Sequence, residues 1–143
     1  MVIKKKKASP KKAAVRKIAP RTRNAGTMTE SMFWSFIRSA LRNKSRWWKP
    51  ITQCKMNSRR AYKGPLKRQK FEYQCNECKN WFPEKNINVD HMVPAGSLNC
   101  GNDLPGFVER LFCEVDNLQV LCVHCHDIKS KEDKLKLTKN KFV

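Results

Sequence analysis

Hydrophobic side chains recur at three- and four-residue spacing after residue 32, which predicts a helix with one apolar face. The helix is expected to begin near Thr29, Glu30 and Ser31, because hydroxyl side chains cap a helix and an acidic residue suits its positive end. A second, shorter helix is predicted over residues 51–62. Pro50 directly precedes it, and a proline is tolerated at the start of a helix. The apolar positions of the first helix fill about three turns and are Phe33, Trp34, Ile37, Ala40 and Leu41.

Short stretches of alternating hydrophobic and polar residues predict strands in the second half of the chain, over residues 71–74, 87–91 and 117–122. Residues 94–116 form a long connection rich in Gly and Pro, with one short helix expected over residues 107–112. Helical spacing returns after Cys125. Together these elements predict an α+β fold.

The first 27 residues have few large apolar side chains, so they cannot bury enough surface to offset the entropy of ordering. No stretch approaches the roughly 18 apolar residues of a membrane span, and no apolar signal region follows Met1. We therefore expect a cytoplasmic protein without a membrane partner. Its predicted parts are a disordered basic arm (1–27), a basic helical subdomain with a linker (28–70), a second domain (71–135) and a basic tail (136–143).

The formal net charge of +19 favours an acidic polymer as partner, and the charge is unevenly distributed. Residues 1–25 hold ten basic and no acidic residues, residues 26–70 hold twelve and one, and residues 71–143 hold nine and eleven. We expect the arm to contact phosphates. The alternatives are a role in solubility and a nuclear localisation signal. Trp47 and Trp48 are interpreted as core or staple residues rather than base-stacking platforms. The arginines expected to bind nucleic acid are Arg38, Arg42, Arg46, Arg59 and Arg60.

Four of the seven cysteines form two Cys-x2-Cys pairs, which indicates a structural zinc site in a reducing compartment. Each two-residue spacer places two sulfur atoms on one metal, so the pairs supply four thiolates. No role is assigned to the remaining cysteines or to His124. The predicted zinc ligands are Cys75, Cys78, Cys122 and Cys125.

Two of the three histidines lie beside metal-capable positions: His91 follows Asp90 at the end of a predicted strand, and His126 follows Cys125. Such a set suits hydrolysis of phosphodiesters, because a metal on Asp and His neutralises phosphate charge while a neutral His takes a proton from water.

These residues resemble the zinc-clipped HNH endonucleases. The resemblance covers about residues 71–133 and rests on the runs 89–94, 116–122 and 125–129 together with the first cysteine pair. Small free-standing bacteriophage proteins of this family, including homing endonucleases, have similar Trp/Arg-rich helices. The resemblance implies a ββα-metal fold. The connection over residues 94–117 is longer than is common in the family and carries acidic residues.

The resemblance also implies a role for each motif residue. His91 would be the general base, while Asp90 and His126 would bind a catalytic Mg²⁺ or another divalent ion. Asn117 would hold the long loop by side-chain hydrogen bonds, and Lys129 is a candidate phosphate contact. The implied products carry a 5′ phosphate and a 3′ hydroxyl.

The leading hypothesis is therefore a metal-dependent endonuclease that nicks double-stranded DNA as a monomer, or cuts both strands as a weak dimer. The alternative is a zinc-stabilised DNA-binding or packaging accessory module with weak or no hydrolysis, whose partners include phage packaging proteins. RNA as substrate is a third possibility that the charge leaves open.

Overall fold

The elements combine four helices with small antiparallel sheets across residues 18–139, the part of the chain that this computed structural model describes. The fold is thus α+β, as predicted. The helices are α1 (Glu30–Ser45), α2 (Lys49–Asn57), α3 (Leu104–Leu111) and α4 (Val123–Lys139). The strands are β1 (Arg21–Arg23), β2 (Met28–Thr29), β3 (Arg59–Ala61), β4 (Phe71–Gln74), β5 (Trp81–Phe82), β6 (Ile87–His91) and β7 (Leu118–Cys122). None of the helices in this range is long and apolar enough to cross a membrane.

The chain divides into two compact units, one ending at Phe33 and the other beginning at Trp34. In the first unit β1 and β2 form an antiparallel hairpin, which corrects the predicted disorder for the last part of residues 1–27. Asn24, Ala25 and Gly26 carry the turn with φ values of 50°, 52° and 77°, a left-handed backbone that Asn and Gly accept readily. Residues 1–17 of the predicted arm lie outside the described residues.

Helix α1 begins where the hydroxyl and acidic residues predict it. The Thr29 Oγ1 atom accepts a hydrogen bond from the backbone N–H of Met32 at 3.2 Å, as a cap does. The helix is 16 residues long and so exceeds the predicted three turns. Its apolar side chains Trp34, Ile37 and Leu41 pack against a buried cluster formed by Ala95, Leu98, Phe107 and Leu111.

Helix α2 is shorter than predicted. It ends at Asn57, and residues 59–61, which were expected to continue the helix, form strand β3 instead. Strand β3 pairs antiparallel with β4, and β4 pairs with β5 to give a three-stranded sheet. Arg59 and Arg60 therefore lie on an edge strand rather than on a helix.

The helices ahead of residue 70 do not form a core of their own. Ile51 and the buried Cys54 of α2 belong to one hydrophobic cluster with Tyr73 of β4, Ile87 of β6, and Leu118 and Val120 of β7. The hydrophobic core therefore extends across the predicted boundary at residue 70, because segments on both sides bury their apolar side chains together.

Strands β6 and β7 form a two-stranded antiparallel sheet, and α4 follows β7 without a loop. The register pairs Asp90 with Gln119 and His91 with Leu118. Helix α4 continues to Lys139, so much of the predicted basic tail is helical, and residues 140–143 lie outside the described residues.

Candidate active site

Asp90 and His126 are brought together by the strand pair and the helix that follows it. Asp90 lies one residue before the end of β6, and His126 lies in the first turn of α4. The Oδ1 atom of Asp90 is 3.9 Å from Nε2 of His126, and their side chains are 17% and 33% exposed. A carboxylate oxygen and an imidazole nitrogen thus face each other at a place that solvent can reach.

The second oxygen of Asp90 is held by two donors. The Nε2 amide of Gln119 donates to Oδ2 at 3.2 Å, and the ammonium of Lys129 lies 3.0 Å from the same atom. Lys129 also donates to Asp133 at 2.9 Å and to the carbonyl of His91 at 3.1 Å. Burial opposes the charge on Lys129, but these carboxylates outweigh it and raise its pKa. The lysine expected to contact phosphate is therefore an internal cation of the site.

The side chain of His91 is oriented by the backbone of α3. Its Nε2 atom lies 3.0 Å from the carbonyl oxygen of Leu111. Because a carbonyl only accepts hydrogen bonds, Nε2 must carry the proton, and Nδ1 of a neutral ring keeps its lone pair. The sequence could not predict this partner, because any residue type at position 111 would supply the same backbone carbonyl.

Asn117 forms hydrogen bonds with the residues that follow β6. Its Oδ1 accepts from the backbone N–H of Val93 at 2.9 Å, and its Nδ2 donates to the Val93 carbonyl at 3.4 Å. The Asn117 carbonyl accepts from Met92 at 2.8 Å. These three bonds fix the two residues that follow His91.

A chain of amides connects the first cysteine pair to Asp90. Asn76, inside the Cys75-x2-Cys78 turn, donates its Nδ2 to Oε1 of Gln119 at 3.1 Å, and Gln119 donates onward to Asp90. The backbone N–H of Asn76 bonds the Val120 carbonyl at 2.7 Å. Sequence reasoning missed Gln119, although its place opposite Asp90 in an antiparallel pair is the signal that could have found it.

The four cysteines predicted to bind zinc converge. Their sulfur atoms all lie within 4.8 Å of one another, and Cys78 and Cys122 are 4.0 Å apart. Sulfur ligands on one tetrahedral zinc stand about 3.8 Å apart, given Zn–S bonds of about 2.3 Å. These cysteines can therefore hold a metal ion such as zinc, and they lie at the end of β4, the end of β7 and the start of α4.

Two cysteines of the cluster have pKa values shifted in opposite directions. Burial alone would raise the pKa of Cys75, but hydrogen bonds from the backbone at Cys122 and Cys78 outweigh it and lower the pKa to about 7. Hydrogen bonding to Cys122 and then burial raise the pKa of Cys125 to about 12. Because zinc binds the thiolate form of cysteine, metal binding here would release the proton of Cys125.

The other three cysteines lie apart from this cluster. Cys54 is buried in the core, where desolvation raises its pKa, whereas Cys100 is exposed and Cys113 is partly buried. Within residues 18–139 the four-cysteine set is the one group of three or more His, Cys, Asp or Glu side chains placed to hold a metal. An ion at Asp90 and His126 would therefore have two side-chain ligands from this range.

The arginines predicted to bind nucleic acid are spread over two elements and one turn. Arg42 lies 5.6 Å from the Phe107 ring and 3.5 Å from the Gly96 carbonyl. Arg38, on the same helix, contacts the Ser35 hydroxyl at 3.4 Å. On β3, Arg59 lies over Phe71 at 4.2 Å, and Arg60 lies over Trp81 at 3.9 Å and pairs with Glu72 at 2.6 Å. Arg46 is exposed in the turn after α1.

No protein-family model, no curated protein and no solved structure matches this chain.

Proposed function

We propose that this protein is a metal-dependent endonuclease of the HNH type that hydrolyses phosphodiester bonds in double-stranded DNA. In this proposal β6, β7 and α4 form the ββα-metal module. The observation that carries it is the 3.9 Å distance between Asp90 of β6 and His126 of α4, with His91 next to Asp90 at the end of the same strand. The excess of basic residues in the first half supplies the attraction for DNA.

His91 acts as the general base. Its Nε2–H is held by the Leu111 carbonyl at 3.0 Å, so Nδ1 is the atom that takes a proton from water. The water oxygen then bonds to phosphorus, and the bond from phosphorus to the 3′ oxygen breaks. The departing oxygen takes a proton from solvent, which leaves a 3′ hydroxyl and a 5′ phosphate. Asn117 keeps His91 in place through its bonds to the two following residues.

Asp90 and His126 would hold the divalent ion. The Asp90 carboxylate suits Mg²⁺ or Mn²⁺, and the His126 imidazole suits a transition-metal divalent ion. An ion held there would supply positive charge for the negative charge that develops on the phosphate oxygens. Gln119 and Lys129 hold the other oxygen of Asp90, which leaves Oδ1 turned towards His126.

A second candidate function is a zinc-stabilised DNA-binding or packaging accessory module. The ion pair between Lys129 and Asp90 favours it, because an ammonium 3.0 Å from the carboxylate competes with a divalent ion for the same negative charge. In this case the four-cysteine cluster stabilises the fold and the hydrolytic residues have weak activity or none.

Replacement of His91 separates the two functions. We expect the wild-type protein to nick supercoiled plasmid when Mg²⁺ is added, and His91→Ala to slow nicking about 10²- to 10⁴-fold with DNA affinity unchanged. His124→Ala, checked for unchanged zinc content because His124 lies between Cys122 and Cys125, is the control, since His124 is exposed and is not part of the Asp90–His126 pair. Undiminished Mg²⁺-dependent nicking by His91→Ala would refute the assignment of the base. A wild-type protein that binds plasmid but is inert with every divalent ion would favour the accessory function.

A further inference from the structure

Trp47 differs from the other tryptophans of the chain. It is 82% exposed, in the turn between α1 and α2. Trp34 packs against a core cluster, Trp48 packs edge-on against an aromatic ring, and Trp81 lies under the guanidinium of Arg60 at 3.9 Å. An indole this exposed buries little apolar area, so it contributes little to the stability of the fold and leaves its ring open to a partner.

The turn holds Trp47 outward. Its backbone N–H bonds the Lys44 carbonyl at 3.2 Å, and the next N–H bonds the Ser45 carbonyl at 3.0 Å. The neighbouring Trp48 is anchored inward, because its Nε1 donates to the Cys113 carbonyl at 2.7 Å. The backbone under Trp47 is thus fixed before any partner arrives, which lowers the entropy lost on binding.

The surroundings of Trp47 are cationic. Lys44, Arg46 and Lys49 are exposed, and in the described part of the chain none of the three takes part in an ion pair. No acidic residue occurs between residues 31 and 71. An exposed indole with unpaired positive charges on both sides has the chemistry of a site for an aromatic anion.

We propose that these four residues, here called the Trp47 surface (Lys44, Arg46, Trp47 and Lys49), bind an unstacked base of a nucleic acid strand. The base lies against the indole ring, and the flanking phosphates contact the three cations. Stacking of this kind accepts any base, so the surface binds single-stranded or frayed DNA without reading its sequence. The inference deepens the proposed endonuclease function and concerns how the substrate is held.

Binding of a fluorescein-labelled single-stranded oligonucleotide, measured by anisotropy without added divalent ion, tests the proposal. We expect Trp47→Ala to weaken binding about tenfold or more, and Trp47→Phe to stay within about threefold of wild type. The log-log salt slope should be unchanged in Trp47→Ala, whereas Arg46→Gln should reduce it by about 0.7, as loss of one phosphate contact does. Leu66→Ala is the control, since Leu66 is an exposed apolar residue in another basic segment.

Three outcomes would overturn the proposal: an unchanged affinity in Trp47→Ala, an equal loss in Leu66→Ala, or an effect of Trp47→Ala on self-association alone, seen by sedimentation. This measurement needs no cleavage, so it tests the Trp47 surface even if the protein does not cut DNA. Failure of the endonuclease proposal would therefore be a separate result.

Discussion

The carboxylate of Asp90 has two oxygen atoms in different surroundings. One faces the His126 ring, and the other accepts from the Gln119 amide and pairs with Lys129. Gln119 is held in turn by Asn76, a residue of the first cysteine turn. The amide chain therefore connects the orientation of the candidate metal ligand to the geometry of the four-cysteine cluster, as partners of metal ligands commonly do.

This connection predicts that Gln119→Leu weakens binding of a divalent ion at Asp90 and His126. The leucine fills a similar volume but cannot donate a hydrogen bond, so the carboxylate loses one of its two restraints. We expect the dissociation constant for Mn²⁺, measured by calorimetry or by the Mn²⁺ resonance signal, to rise about 10- to 100-fold.

Asn88→Leu is the matched control, because Asn88 is an exposed amide on the partner strand β6. Zinc content should stay the same in both variants. Equal Mn²⁺ affinity in Gln119→Leu and wild type would mean that the amide does not position Asp90.

For single residues, the sequence indicates which ionisable and sulfur-bearing side chains belong to the candidate sites, but not which groups orient them. Asp90, His91 and His126 are recognisable from their residue types and spacing. The Leu111 carbonyl and the Gln119 amide are not, since each acts only through a tertiary contact. Trp47 was interpreted as a core or staple residue but is exposed, because residue type alone does not show which of two adjacent tryptophans is buried.

Among the elements, the strands around the cluster were the most predictable. Strand β6 has the predicted bounds, and β7 begins one residue later than predicted. Strand β3 was missed because Arg59 and Arg60 interrupt any apolar alternation; it forms through its pairing with β4, with their side chains lying over aromatic rings. Long-range pairing of this kind overrides local propensity.

The four-cysteine cluster joins the end of β4 to the junction of β7 and α4, so its loss should affect several elements at once. We expect the wild-type chain to bind one zinc and Cys78→Ser to bind none, with the free energy of unfolding lowered by at least about 3 kcal/mol. Zinc content by atomic absorption and a denaturant titration check both.

Cys100→Ser provides the control, because Cys100 is exposed and outside the cluster. A Cys78→Ser protein with full zinc content and wild-type stability would contradict the assignment of Cys78 as a ligand.

In the molecule as a whole, the net charge of the chain changes near residue 70, but the hydrophobic core does not end there. The composition changes near residue 70, from a strongly basic part to one with nine basic and eleven acidic residues, and this change suggested a helical subdomain and linker ahead of a separate domain. The hydrophobic core crosses that point, since α2 shares a cluster with β4, β6 and β7. Surface charge reports the partner, whereas domain limits depend on which apolar faces are buried together.

The charge of the first residues leads to a prediction about the whole protein on DNA. Residues 1–17 hold eight basic residues and no acidic one. If the full chain neutralises about eight phosphates, the log-log salt slope of duplex binding should be about −7, from about −0.9 per phosphate. Deleting residues 1–17, which leaves the β1–β2 hairpin intact, should reduce that slope by half or more.

A full-length variant with glutamine at each of these eight positions is the control for chain length, and it should reproduce the flatter slope of the deletion. An unchanged slope in both proteins would assign the phosphate contacts to the described residues and leave the first 17 residues a role in solubility. A flatter slope in the deletion alone would mean that the presence of this segment, rather than its charge, determines binding. The two variants together therefore distinguish an electrostatic contribution from a merely structural one, which neither can do by itself.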